Sequence, residues 1–303
     1  MSTFGKIKLI ILFCQVLKFV NGIPDNVDVI NETLFDDRVE IFKKNLEFIA
    51  ELRNSGKDEG IFGINSLTTL SRQEFEQMLM KNKPEKPGKN ASFKATGRHV
   101  PPHFDMRNQG WMTSIKMQGT CSSCWAFATT ALLETQYLRY FNRYLDLSEQ
   151  ELVNCAGGSC QTGGWIHRAL SYVQRRGLST EINCPYADHD QPCVPIYGEK
   201  AYLSEILYLD SEEDIAEAVY YQGPVAFGMH APESLQFYKG GIYHPHSCHS
   251  RYYHEMIIVG YAPEYWIVKN SWSEGWGDRG YLYLKRGRNV CGMANHLLQI
   301  SVD

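Results

Sequence analysis

Gln118-Gly119-Thr120-Cys121-Ser122-Ser123-Cys124-Trp125-Ala126-Phe127 sets two cysteines, three residues apart, at the entrance to a long helical pattern. From Trp125 to Asn142 there is no Gly or Pro, and Phe127, Ala131, Leu132, Leu138 and Phe141 recur near helical spacing. A cysteine at a helix N-terminus meets the positive end of the helix dipole and free N–H groups. Both favour thiolate over thiol, so Cys124 is a candidate nucleophile. On this stretch alone, two ordinary disulfide or metal-binding thiols remain the alternative.

A thiolate nucleophile needs a base to pair with, and the base needs a third group to orient it. Tyr253-His254-Glu255 opens the apolar run Met256 to Val259, which reads as a buried strand ending at Gly260. Tyr265-Trp266-Ile267-Val268-Lys269-Asn270-Ser271-Trp272 follows. His254 lies about 130 residues after Cys124 and Asn270 about 146, the spacing known for the papain and cathepsin nucleophile signature. Leu147-Ser148-Glu149-Gln150-Glu151-Leu152-Val153-Asn154-Cys155, Asn270-Ser271-Trp272 and Trp276-Gly277-x-x-Gly280-Tyr281 add three specific motifs. From about Phe42 to the C-terminus the chain resembles a papain-like cysteine protease of the cathepsin L type.

That resemblance implies an α+β, two-lobed papain-like fold: a helical lobe and an antiparallel barrel-like sheet lobe, preceded by a helical propeptide. It divides the chain into a signal peptide (1–22), an inhibitory propeptide (23–98) and a peptidase domain (99–303). The activity it implies is that of a cysteine endopeptidase made as a zymogen, cleaving proteins and peptides through a covalent acyl-enzyme. Cys124 is then the nucleophile, His254 its base and Asn270 the orienting group, with Trp272 shielding the His254–Asn270 hydrogen bond. The Gln118 amide joins the Cys124 N–H in an oxyanion hole. Gly163 and Gly164 resemble the glycine pair against which substrate backbone lies, since close approach suits glycine.

The S2 pocket maps by resemblance onto Trp165, Ile166, Gly228, Tyr252, Glu255 and His296. Acid and imidazole at the last two positions predict a polar, pH-sensitive pocket. Family pairing gives Cys121–Cys160, Cys155–Cys193 and Cys248–Cys291; Cys14 leaves with the signal and Cys184 is left over. The partners implied are peptide substrates, the chain's own propeptide and cystatin-like inhibitors, around a monomer.

Ser122 departs from the family, which usually carries glycine two residues before the nucleophile. Its side chain is expected to crowd the oxyanion hole or to strain the backbone. The alternative function that follows is a catalytically impaired papain-like protein that binds peptides or regulates other proteases. His244, His246, Cys248 and His249 cluster, but one short loop does not supply a closed ligand set, and His254-Glu255 lacks the second histidine of a zinc-protease motif. No metal and no cofactor is expected.

The remaining chain fits a secreted, folded protein. At 303 residues it is long enough to bury a large core, and a net charge of −4 argues against a nucleic-acid binder. Lys6 and Lys8 precede the apolar run Leu9 to Leu17, a secretory leader too short to span a bilayer. The chain is therefore expected in the secretory pathway, lysosomal or extracellular. Asp36 to Arg53 reads as an amphipathic helix whose Arg38, Phe42, Asn45 and Ile49 resemble half of a propeptide motif. Thr69 stands where that family usually carries Asp. Ser71 with Glu74 forms a capping-box pattern. Lys81 to Arg98 reads as a linker, with an activation cut expected between Phe93 and Val100. Asn31 and Asn90 head glycosylation sequons. Beyond Ala201, the stretches at Gly223–Gly228, Ile257–Gly260, Tyr265–Lys269 and Gly280–Arg286 read as strands, with one helix at Ser211–Tyr220 capped by Ser211.

Overall fold

The computed structural model describes residues 32–83 and 92–303. The expected leader and both sequons, Asn31 and Asn90, lie outside these residues. Six α-helices are described: α1 (Glu32–Ser55), α2 (Arg72–Gln77), α3 (Cys124–Phe141), α4 (Glu149–Cys155), α5 (Ile166–Arg176) and α6 (Ile215–Tyr221). The strands are β1 (Glu59–Phe62), β2 (Phe104–Asp105), β3 (Leu178–Ser179), β4 (Lys200–Ala201), β5 (Glu205–Leu209), β6 (Val225–His230), β7 (Tyr238–His244), β8 (Tyr253–Tyr261), β9 (Tyr265–Lys269), β10 (Tyr281–Lys285) and β11 (Leu297–Ser301).

Helix α3 is the spine. Cys124 through Tyr137 are buried without a break, so every face of its first part is enclosed, with Thr129, Thr130, Glu134, Thr135 and Gln136 buried among the apolar residues. Only its end emerges, where Phe141 is exposed and Asn142 closes the helix in the left-handed conformation. α4 and α5 pack beside it to complete the helical lobe. The main sheet runs β1-β7-β10-β9-β8-β6-β11-β5, with β2 on β8. Its pairs are antiparallel except β7 with β10. Strand β8 is buried from His254 to Tyr261 because α3 covers one face. It passes Gly260 through an irregular register, where β2 approaches too closely for any Cβ.

Disulfides join Cys121 to Cys160, Cys155 to Cys193 and Cys248 to Cys291, while Cys124 and Cys184 are free thiols. The first two brace the helical lobe and the third the sheet lobe.

The N-terminal segment is built onto this body. α1 is longer than its periodicity suggests, and its polar residues hold the chain that returns beside it. Arg38 donates to both Glu74 oxygens at 2.8 and 2.5 Å and to the Thr69 carbonyl at 3.2 Å. Asn45 donates to the Thr68 and Leu70 carbonyls, both at 2.8 Å, and Arg53 to the Phe62 carbonyl at 2.7 Å. The capping box at α2 is complete: Ser71 accepts from the Glu74 N–H, and the Ser71 N–H donates to Glu74 at 2.8 Å. Strand β1 adds itself to the edge of the main sheet beside β7.

Two expectations are corrected. Helix α6 begins at Ile215, and Ser211 does not cap it; the Ser211 hydroxyl donates to Asp214. Glu212 is drawn out of that turn because it accepts from Trp266 Nε1 and from the Gly287 and Asn289 N–H groups. The linker is also less free than its composition suggests. Phe93 is buried and donates its N–H to the Tyr208 carbonyl, and Glu217 accepts from the Thr96 and Gly97 N–H groups.

Candidate active site

Cys124 is the first residue of α3, with Ser123 as a cap whose side chain does not bond the helix. The helix end therefore leaves N–H groups near the sulfur. Burial pushes the Cys124 thiol well up, and the Glu255 carboxyl adds to this; the N–H groups of Glu255, Trp125 and Cys124 itself act the other way.

His254 enters on β8, and Asn270 directly follows β9, so antiparallel pairing of these neighbours brings the two side chains together. His254 Nε2 lies 2.7 Å from Asn270 Oδ1. The same oxygen accepts from the Ser271 N–H at 2.8 Å, which fixes it as the acceptor. His254 must then donate through Nε2, leaving the Nδ1 lone pair as its basic site. Nδ1 is buried without a hydrogen-bond partner. Trp272 stacks on the imidazole at 4.3 Å and 26°. Burial brings the His254 pKa down to about 4, opposed by Asn270. In the intact chain burial thus favours the uncharged thiol of Cys124 and the neutral imidazole of His254.

Gln118 is buried and fully engaged. Its Oε1 accepts from Ser271 Oγ at 2.9 Å and Trp272 Nε1 at 3.0 Å, so its Nε2 is the donor end. Nε2 donates to the Met78 carbonyl at 2.8 Å and the Cys121 carbonyl at 2.9 Å. A peptide carbonyl of the N-terminal segment thus lies against a side-chain amide six residues before the candidate nucleophile. Ser122 does not turn its side chain toward that amide; its hydroxyl faces the Gln77 and Leu79 carbonyls.

The segment crosses the cleft from Trp272 toward the glycine pair. Phe75 meets Trp272 edge-on at 5.4 Å, Met80 pairs with Tyr253 through both backbone groups at 2.9 Å, and the Lys81 N–H reaches the Thr162 carbonyl at 3.2 Å. The two glycines serve different neighbours. A Cβ on Gly163 would lie 2.8 Å from the Met80 side chain, and one on Gly164 would lie 2.5 Å from the Trp125 ring. The backbone groups of Gly163 bond Ser159.

Strand register gathers part of the mapped pocket. Gly228 on β6 faces Glu255 on β8, and Leu297 on β11 faces Phe227, so His296 falls opposite Gly228. Glu255, Gly228 and His296 form one row, on β8, on β6 and at the residue just before β11. Burial raises the Glu255 carboxyl to about 8, opposed by the Ile166 N–H at the start of α5. Trp165 donates to the Lys83 carbonyl at 3.4 Å. Tyr252 stands apart from the row and lines a cavity with Arg72, Phe75, Glu76 and Leu79. Among the described residues, no group of three or more His, Cys, Asp or Glu is placed to hold a metal.

Residues 100–300 match the papain family cysteine protease family. The chain belongs to the papain family of cysteine proteases. Over 278 residues it is 34% identical to thiol protease aleurain of Arabidopsis thaliana, covering 85% of this chain and 76% of that protein. Over 280 residues it is 32% identical to a cathepsin L-like proteinase of Fasciola hepatica, covering 85% of both. Among solved structures, digestive procathepsin L 3 of Tenebrio molitor larval midgut superposes with a TM-score of 0.84 at 28% identity over 100% of each chain. A recombinant stem bromelain precursor gives 0.82 at 26% identity, covering 98% of this chain and 99% of that one. This peptidase therefore shares the two-part organisation of precursor structures, an N-terminal segment laid over a papain-like body.

Several residues that shape the site carry no sequence signal of their own. Asp188 accepts from the Thr120 N–H at 2.9 Å and the Cys121 N–H at 2.8 Å, and Asp190 accepts from the Cys160 N–H at 2.8 Å. Tyr186 donates to the Gln118 carbonyl at 2.6 Å and lies 2.7 Å from Ser123 Oγ. Lys269, next to Asn270, donates to Thr113 Oγ1 at 2.9 Å, and Thr113 donates on to Glu134 of α3 at 2.6 Å. That chain ties the strand bearing Asn270 to the helix bearing Cys124.

Proposed function

We propose that this peptidase is a secretory-pathway cysteine endopeptidase whose residues before about 99 form an inhibitory pro-segment. The observation that carries this reading is the Met78 carbonyl held by Gln118 Nε2 at 2.8 Å. An oxygen of the chain itself sits against the amide assigned to stabilise a substrate's oxyanion.

Once the pro-segment leaves, water reaches the cleft and the burial that keeps Cys124 and His254 uncharged is relieved. The thiol proton passes to His254 Nδ1, giving a thiolate–imidazolium pair. The sulfur attacks a peptide carbonyl carbon, and the C=O electron pair moves onto oxygen. Gln118 Nε2 and the Cys124 N–H hold that oxyanion; one such donor supplies roughly 2.7–4 kcal/mol. His254 gives its proton to the leaving amine as the C–N bond breaks. It then takes a proton from water, whose oxygen displaces the sulfur and returns the enzyme. Asn270 holds the imidazole in plane throughout.

Between Cys155 and Cys193 the sequence carries no long Cys-rich insert with paired histidines of the kind that closes one end of a cleft, which supports endopeptidase activity. The row Glu255–Gly228–His296 supports a polar S2 pocket that accepts hydrogen-bonding P2 side chains. A further reading is a monomer acting in a lysosome or outside the cell; among the described residues no helix is long and apolar enough to cross a membrane.

The test incubates the purified full chain with reducing agent at about pH 5 and pH 7. Mass and hydrolysis of dipeptide fluorogenic substrates varied at P2 are followed together. Loss of the pro-segment with turnover that Cys124→Ala abolishes is the expected result. A folded, trimmed protein with no turnover overturns the reading. An apolar P2 preference that Glu255→Ala leaves unchanged overturns the polar pocket alone.

A further inference from the structure

Helix α2 ends at Gln77, directly over the nucleophile loop, and a helix end leaves carbonyls without internal partners. Here the segment is buried as it leaves the helix: Met78 and Leu79 are enclosed. Gln77 itself is exposed, so the Met78 and Leu79 carbonyls are the ones that need donors from elsewhere. Gln118 Nε2 serves Met78. The Ser122 hydroxyl lies 2.7 Å from the Gln77 carbonyl and 2.9 Å from the Leu79 carbonyl, close enough for its one proton to be shared between them. No other hydrogen bond reaches either carbonyl among the described residues.

Ser122 is rigidly placed for this. It is fully buried, its N–H donates to the Cys160 carbonyl at 3.0 Å, and the neighbouring Cys121 is bonded to Cys160. The hydroxyl is thus aimed by a disulfide-braced backbone. Glycine, usual at this position in the family, offers no side-chain donor and would leave the buried Leu79 carbonyl unmet.

We infer that Ser122 is a binding residue for the pro-segment, a hydroxyl that grips the carbonyls of a chain leaving a helix over Cys124 and so strengthens autoinhibition without a part in turnover. The grip selects for backbone shape. Carbonyls two residues apart converge on one hydroxyl here because the chain is still turning at the end of α2; in a fully extended peptide the carbonyls at this spacing lie on one side about 7 Å apart. An extended substrate cannot offer the same pair of acceptors. The inference rests on the pro-segment reading above.

The experiment measures how fast an epoxide probe labels Cys124 in the intact chain at about pH 7. Labelling needs local release of the pro-segment, so its rate follows the open fraction. Ser122→Gly and Ser122→Ala are each compared with the unaltered chain, before and after processing. A lost hydrogen bond to the buried Leu79 carbonyl predicts labelling roughly 5- to 30-fold faster in both unprocessed variants. After processing, kcat/KM on a dipeptide substrate should stay within about twofold of the unaltered enzyme, well below one hydrogen bond's worth. Equal labelling of variants and unaltered chain overturns the Ser122 inference, as does an equal loss of turnover after processing. If the unaltered chain labels as fast before processing as after, the pro-segment reading itself fails, and Ser122's role falls with it.

Discussion

Asn270 Oδ1 receives His254 Nε2 at 2.7 Å while the Ser271 N–H pins the same oxygen at 2.8 Å. The acceptor is therefore fixed before the imidazole arrives, and the imidazole tautomer follows from it. Removing it frees the ring to rotate and removes the group that raises the His254 pKa against burial. Asn270→Ala is expected to lower kcat/KM roughly 10- to 100-fold, the worth of one hydrogen bond to a charged group. The alkaline limb of the pH–rate profile should move to lower pH, because His254 gives up its proton more readily. An unshifted limb with unchanged kcat/KM would show that Asn270 does not position the base.

Glu74 gives the pro-segment's own fold an acid-sensitive brace, since its partners Arg38 and Ser71 both lie in that segment. Burial alone would raise its carboxyl, but the hydrogen bonds from Arg38 and from Ser71 override it and bring it down to about 2. A depressed carboxyl stabilises the folded segment, and through its shape the docked state, above the ordinary glutamate value of about 4.3 and loses that contribution as pH falls toward the depressed value. Probe labelling of Cys124 in the intact chain should accelerate as pH drops from about 4 toward 2. Glu74→Gln should label faster already at neutral pH and respond less to acid over that window. A variant with the same steep acid response would place the sensitivity elsewhere.

Glu255 acts in the opposite sense. Burial raises its carboxyl to about 8, with the Ile166 N–H opposing. A raised carboxyl costs nothing below its ordinary value and progressively destabilises the fold as pH climbs from about 4.3 to 8. At pH 7 that cost is on the order of 3 kcal/mol. Glu255→Gln keeps an oxygen for the Ile166 N–H and removes the charge. Its Tm should exceed that of the unaltered chain at pH 7, and the gain should vanish near pH 4. An equal gain at both pH values would mean that shape, not ionisation, separates glutamine from glutamate here.

What could be read from the sequence was what local pattern determines. The run from Trp125 to Asn142 has no breaker and folds as α3, and Tyr265–Lys269 folds as β9 with the bounds its apolar residues suggest. The capping box at Ser71 is likewise a three-residue affair. Side-chain partners far along the chain left no such trace. Ser211 looks like a cap, but Glu212 is pulled away by Trp266, Gly287 and Asn289, which no local rule anticipates. Glu255, Gly228 and His296 share a row only through the register of three strands. Ser122 reads as an obstacle until α2 is placed above it.

Asp188 belongs to the same class, and its effect on the site can be tested. One oxygen, Oδ1, accepts both the Thr120 N–H at 2.9 Å and the Cys121 N–H at 2.8 Å, across a gap of 68 residues in sequence. These N–H groups follow Gln118-Gly119, so Asp188 fixes the backbone from which the Gln118 amide projects. A Cβ on Gly119 would lie 2.4 Å from that carboxylate, which explains why the loop needs glycine there, at φ +66°. As a positioning residue acting through Gln118, Asp188 should affect the transition state more than substrate binding. Asp188→Ala is expected to lower kcat of the processed enzyme roughly 5- to 30-fold with little change in KM, the equivalent of about 1–2 kcal/mol. Asp188→Asn retains an acceptor oxygen and should recover most of that loss. Steady-state kinetics on one dipeptide substrate separates the two terms. A rise in KM alone, or an Asn variant as poor as Ala, would mean that Asp188 supports the loop through its charge rather than by aiming the Gln118 amide.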